Sequence, residues 1–286
     1  MYNRQNSTQI RRIPVKRLLI LLCAFILIAA GCGSPATITP QPTLAPVTPT
    51  EMPPTSIPAT ATPTPDITAG LVVYYPFNGD ANDEGGNGVN GQIINTTGTG
   101  DRIGQDNGAL LFNGVDSLVV LPDNDRLDLT GDFSISFFIK GNSTSTHEWL
   151  IMTKHRAGVC QPANTSWMLR YNTDYGLRLI NYDTTVECGK TILSAPEVNL
   201  KDDLWHHVVI VYESQARTIS LYMDGSFVTS MDASQLNIQN NDESFVIGNQ
   251  SNGVPAHNLD AAIDDLRIYD QAINEDIIEA IYRGTP

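Results

Sequence analysis

The sequence predicts an all-β fold, a two-sheet antiparallel sandwich with one short C-terminal helix. Three observations point to it. The apolar runs are short and alternate with polar residues at period two, as in "FSISFFIK", where Phe133, Ile135, Phe137 and Ile139 take one face and Ser134 and Ser136 the other. Gly, Asn, Asp and Ser separate these runs. No helical periods are interleaved between them, which excludes a parallel βαβ sheet.

The chain begins with a segment outside that fold. Arg4, Arg11, Arg12, Lys16 and Arg17 form a basic leader without an acid, and an apolar run of 13 residues follows, Leu18 to Ala30. That length is short for a membrane span of roughly 20 residues, and the pattern is that of a secretory signal. "IAAGCGS" places small residues directly before Cys32 and resembles the lipobox of bacterial lipoproteins. The resemblance implies a lipoprotein signal peptide over residues 1–31, cleaved before Cys32, with a lipid on its sulfur; the alternatives are an ordinary signal with a chance cysteine and an uncleaved anchor. Residues 32–66 then read as a lipid-anchored linker. Pro and Thr dominate it and Glu51 is its only charge between Ser34 and Pro65. Nothing in it forms a core, so an extended, disordered spacer is expected.

Residues 67–286 carry the folded domain. It opens with the strand "LVVYYPF" and then "FNGDANDEGGNGVNG", which holds three acidic residues and four Asn and little to bury after Phe77. The segment reads as a disordered spacer, as a hydrogen-bonded turn, or as a loop folded around a hard cation. Further strands are expected at "ALLFNG", "SLVVLP", "FSISFFIKG", "EWLIMTK", "SWMLRY", "GLRLINY", "WHHVVIVYE", "TISLYMDG", "SFVIGN" and "AAIDDLRIY". Asp224-Gly225 between two strand halves predicts a tight hairpin turn. In "LWHHVV", His206 and His207 point to opposite faces and cannot share a metal ion, while Trp205, His207, Val209 and Val211 face the core. In "NEDIIEAIYRG", Asn274 caps a helix, Glu275 and Asp276 suit its N-terminal dipole, and Gly284 stops it.

"SWMLRYNTDYGLRLINY" predicts a hairpin turning near Asp174. Arg170 then faces Arg178 and Met168 faces Ile180. Cys160 and Cys188 meet at the open end of the same ladder, and in an oxidising compartment they are expected to form a disulfide. Two directly facing arginines are unfavourable on a bare surface; they are tolerable around an anionic or polyhydroxyl ligand, or the register is off by one.

The strings "GLVVYYPFNGDANDEGGNGVNG", "ALLFNGVDSLVVL", "LWHHVVIVYESQARTISLYMDGSFV" and "AAIDDLRIYDQAINEDIIEAIY" resemble, in order and spacing, a laminin G-like jellyroll domain of the concanavalin A-like lectin/glucanase superfamily. The resemblance covers roughly Gly70 to Tyr282. It implies a jellyroll of two curved antiparallel sheets, often with a calcium ion, used to bind sugars or proteins. It also implies that the first strand and the last long strand are neighbours. That would gather Asp80, Asp83, Asp264 and Asp265, with carbonyls around Asn78 and Gly114, into a structural Ca2+ site with oxygens at roughly 2.3–2.6 Å.

Charge and motif content narrow the function. Of 17 basic and 31 acidic residues, five basic and no acidic ones lie in the leader, so the chain after it carries 12 against 31, a net charge of −19. Such a surface repels phosphate backbones and argues against a nucleic-acid partner. No closely spaced carboxylate string of the glucanase type, no Gly-x-Ser-x-Gly, no phosphate loop and no zinc pattern is present. The expectation is therefore a non-catalytic binding module, exported to the bacterial cell envelope and lipid-anchored to a membrane, recognising an extracellular polysaccharide or glycoprotein. The alternatives are a protein-interaction or adhesion module and a cryptic glycan hydrolase. Trp149, Arg170, Tyr171, Tyr175 and Arg178 are candidate ligand contacts, since aromatic faces stack on sugars and Arg donates hydrogen bonds, but each reads more readily as core or scaffold, and no ligand site is assigned from them.

Overall fold

A computed structural model describes residues 64–154, 166–183, 187–249 and 257–284. The leader, Cys32, nearly all of the linker and Cys160 lie outside them. Strands run β1 Leu71–Tyr75, β2 Gln92–Ile94, β3 Thr97–Thr99, β4 Ala109–Asn113, β5 Leu118–Leu121, β6 Phe133–Gly141, β7 Trp149–Lys154 and β8 Ser166–Asn172. They continue as β9 Gly176–Asp183, β10 Glu187–Ala195, β11 Trp205–Glu213, β12 Thr218–Met223, β13 Ser226–Asp232, β14 Phe245–Ile247 and β15 Asp260–Tyr269, followed by helix α1, Glu275–Arg283.

The strands form two antiparallel sheets, as the alternation predicts. One runs β13-β12-β11-β6-β15-β4-β3, with β1 also paired to β15; the other runs β10-β9-β8-β7-β14-β5-β2. Their inner faces interdigitate. Phe133, Ile135, Phe137 and Ile139 of β6 meet Trp149, Trp167, Leu169, Tyr171 and Phe245 of the opposite sheet in one buried core. Trp167 and Phe245 pack edge to face with ring centroids 5.4 Å apart.

A second apolar cluster lies on the far side of the first sheet. Phe138, Val209, Val211 and Tyr269 pack there against Ile273, Ile278 and Ile281, with Trp205 at its margin. Helix α1 covers this face because its apolar residues recur at helical spacing. Trp205, His207, Val209 and Val211 share a face as expected, but that face is buried under α1 and not between the sheets. The helix is bounded as its sequence dictates: the Asn274 side chain accepts from the Ile277 amide, and Gly284 adopts φ 70°.

Strand β15 organises the end of the sandwich that carries the opening loop. Its first half pairs with β4 (Asp260↔Asn113 to Ile263↔Leu110) and its second half with β1 (Leu266↔Tyr75 to Tyr269↔Leu71). Asp264 and Asp265 sit where the partner changes. The register with β6 shifts there too, and Asp265 takes φ 51°. The first and last long strands are thus neighbours.

The β8–β9 hairpin has the predicted register, with Arg170↔Arg178 and Met168↔Ile180. Among the described residues its ladder runs out to Ser166↔Tyr182, and the expected Cys160–Cys188 disulfide falls on Cys160, outside them. Strand β9 ends at Asp183, and Cys188 lies on the following strand, β10.

Candidate functional site

Asp83 is the organiser of the opening loop. Its Oδ1 accepts from the amides of Tyr74 (3.1 Å) and Gly85 (2.8 Å), and its Oδ2 from those of Asn87 (3.1 Å) and Val89 (3.3 Å). The segment is folded and not a spacer. Gly85 is needed because a Cβ there would lie 2.9 Å from Asp83 Oδ1 and 3.0 Å from the Tyr74 nitrogen. Asp80 is exposed and binds only Asn82, through its amide (3.0 Å) and side chain (2.7 Å). Asp265 faces the Tyr74 hydroxyl (2.5 Å), Arg102 (3.2 Å) and Arg267 (3.4 Å). Asp264 is 4% exposed. Burial, with Asp265 and Asp101 nearby, pushes its carboxyl up to about 7.

Tyr74 ties the loop to β15, since its amide reaches Asp83 and its hydroxyl Asp265. Of the four carboxylates expected at a cation site, Asp80 and Asp83 are turned to amide donors and Asp265 to a hydroxyl and two guanidinium groups, while Asp264 is buried. Asp83, with four amides on its two oxygens, is occupied as a hydrogen-bond acceptor. Among the described residues, no three of His, Cys, Asp and Glu are grouped to hold a metal ion.

His206 and His207 behave as their opposite faces require. His206 bridges Asp224 (Nδ1, 2.8 Å) and Asp202 (Nε2, 3.1 Å). Burial lowers its pKa, but the two carboxylates outweigh that and leave it raised. His207 lies between the rings of Phe138 and Tyr282, at 4.5 and 6.0 Å. Burial drives it down to about 3, so it is neutral. Its Nε2 shares a 2.8 Å bond with Ser136, and its Nδ1 has no partner among the described residues. Among the described residues, no carboxylate is hydrogen-bonded to this buried Ser–His pair.

The candidate ligand contacts divide. Trp149 (0% exposed) and Tyr171 (1%) belong to the core. They are scaffold residues: Trp149 packs on Tyr171 at 5.4 Å, and the Lys201 ammonium sits 4.7 Å over the Trp149 ring. Arg170, Arg178 and Tyr175 converge on the outer face of the second sheet. Alternation sets this, because Leu169 and Tyr171 on β8 and Leu177 and Leu179 on β9 point into the core. The hairpin turn lifts Tyr175 to 58% exposure, and the Arg178 guanidinium stacks 4.9 Å over its ring.

Sequence reasoning missed two members of this array, Glu148 and His257. Arg178 pairs closely with Glu148, Arg170 lies 3.8 Å from the same carboxylate, and His257 Nδ1 lies 3.6 Å from it. Burial, then Arg170, lowers the His257 pKa. Two cations therefore share one anion. The Nε atoms of both arginines and His257 Nδ1 are buried and have no hydrogen-bond partner among the described residues. Leaving such donors unpaired costs about 1–3 kcal/mol each. Glu148 was findable: two arginines face to face demand an acid on the adjoining strand, and Glu148 directly precedes β7. His257 arrives from a distant segment and left no local pattern. A separate cleft of about 430 Å³ opens on the first sheet, lined by Leu111, Asn113, Lys140, Asn142, Asp203 and Asp260 among others.

A family model described as the concanavalin A-like lectin/glucanases superfamily matches residues 112–279. Among solved structures, the chain is similar to the binding domain of Paraclostridial Mosquitocidal Protein 1, at 17% identity and a TM-score of 0.61, covering 77% of this chain and 53% of that one. It is similar to the botulinum neurotoxin serotype D binding domain at 16% identity and a TM-score of 0.59, covering 76% and 52%. Domain 4 of AbnA, an extracellular arabinanase from Geobacillus stearothermophilus, in complex with arabinotriose, matches at 19% identity and a TM-score of 0.55, covering 74% and 98%. The chain spans about half the length of the two toxin binding domains. At these identities the likeness is one of fold. No curated protein matches the chain.

Proposed function

The chain belongs to the concanavalin A-like lectin/glucanases superfamily, and from that premise we propose that it is a surface-anchored, non-catalytic module that binds extracellular glycan. The observation that carries this reading is the array on the outer face of the second sheet. It offers an exposed aromatic ring at Tyr175, a guanidinium stacked on it, and buried donors awaiting acceptors. Sugars supply both requirements, a CH face for the ring and oxygens for the donors. Solved structures of this fold described as binding domains, and Domain 4 of AbnA in complex with arabinotriose, support the same reading.

Catalysis fits the array poorly. Glycoside hydrolysis uses two carboxyl groups about 5–9.5 Å apart across the scissile bond. Here a single carboxylate, Glu148, is committed to two arginines. The lipid on Cys32 and the Pro/Thr linker over 32–66 would hold the module away from a membrane of the cell envelope. If fully extended at about 3.1 Å per residue, such a linker reaches on the order of 100 Å.

The test is a glycan array probed with the full chain and with Tyr175→Ala. Binding that falls at least tenfold in the variant supports the reading. Glycan binding unaffected by Tyr175→Ala moves the site elsewhere, and capture of proteins in place of glycans favours an adhesion module.

A further inference from the structure

We propose that Arg170 and Arg178 form a clamp for a carboxylate, and that the glycan unit taken at this face is acidic, a uronate or another carboxylate-bearing sugar. The inference rests on the preceding reading that this face binds glycan. The two guanidinium groups are cross-strand partners on one face, an arrangement that repels itself unless an anion lies between them. Glu148 supplies only part of that anion. It approaches Arg178 closely, stands 3.8 Å from Arg170, and leaves both Nε donors without a partner among the described residues. His257 is held neutral, since burial and Arg170 lower its pKa. The array therefore carries one net positive charge in a chain of formal charge −14.

A second carboxylate suits what is left over. Arginine binds carboxylates through paired N–H groups, and charge-assisted bonds of this kind are about twice as strong as neutral ones. The side chains of Arg170 and Arg178 are 15% and 18% exposed, so a ligand meets them partly desolvated, where such bonds gain strength. Tyr175 marks the source of the carboxylate as a sugar. A 58% exposed ring backed by Arg178 gives a pyranose face something to stack on beside the clamp. An acidic peptide would need no such platform.

Glu148 competes with the incoming carboxylate for both arginines, and this gives a test in which a variant gains function. Full chain would be titrated with oligogalacturonate, with the same oligomer after reduction of its carboxyl groups to alcohols, and with oligoglutamate. The expected result is binding of oligogalacturonate that weakens with salt, at least tenfold weaker binding of the reduced oligomer, and weak binding of oligoglutamate. Arg170→Gln and Arg178→Gln should each weaken uronate binding tenfold or more, whereas Glu148→Gln should strengthen it several-fold. That gain separates a released clamp from a damaged fold, and melting curves check each variant. Equal binding of native and reduced oligomers, or weaker binding by Glu148→Gln, would overturn the carboxylate clamp and leave the glycan reading standing. Binding of oligoglutamate alone, or of none of the three probes or any neutral glycan, would overturn both.

Discussion

Asp83 collects four backbone amides from Tyr74, Gly85, Asn87 and Val89 with one side chain. Asp83→Ala should cost ~2–4 kcal/mol, since four amides, three of them partly buried, each lose an acceptor worth about 1 kcal/mol. For a domain of this size, each kcal/mol is roughly 2–4 °C in melting temperature. The loss should appear in full with calcium chelated, and exposed Asp80→Ala should leave the curve within about 0.5 kcal/mol of wild type. A loss seen only with calcium present would make Asp83 a ligand instead. The sequence could not separate these roles, because carboxylates among glycines are written the same way whether they face amides or a cation. His206 gives a second residue-scale expectation. Its pKa is raised in the folded state by Asp224 and Asp202 after burial is offset. The stability it contributes is therefore full below its unfolded value of about 6.5 and lost as pH rises through the higher folded value. Wild type should lose melting temperature across that interval, and His206→Gln should flatten the loss; parallel pH curves for the two proteins would contradict the assignment.

Local sequence chemistry decided most of the element boundaries. The turn from Asn172 to Gly176 set the β8–β9 register, and Asp224-Gly225 set the β12–β13 turn, where both residues take positive φ. The caps of α1 were likewise readable from Asn274 and Gly284. Three-residue strands such as β2 and β3 were not, because they are too short to show a period and exist through their partners β5 and β4. The change of partner along β15 was also hidden, since a strand's sequence shows its faces and not its neighbours. Helix α1 supplies the element-scale test. Asn274→Ala should cost about 1 kcal/mol through the lost cap. Ile278→Ala should cost ~2–5 kcal/mol, because it opens a cavity over Val209, Val211 and Phe138. Thermal melts measure both, and a negligible effect of Ile278→Ala would mean that α1 does not stabilise the sheet beneath it.

At the scale of the molecule, the sandwich and its superfamily were legible because four strings in order specify one sheet pairing. The site was legible only in part. Arg170, Arg178 and Tyr175 were named and do converge, while Trp149 and Tyr171 were named for the same aromatic chemistry and are core. Period two alone separates them: along β8 the outer face and the core face differ by one residue. The central claim is that this outer face binds a sugar. A crystal soaked with an oligosaccharide that scores on the array tests it most directly. The account predicts a sugar ring stacked on Tyr175, with its oxygens within hydrogen-bond distance of Arg170 and Arg178. A sugar bound only in the cleft lined by Asn113, Lys140 and Asp260, with the Tyr175 face bare, would contradict it.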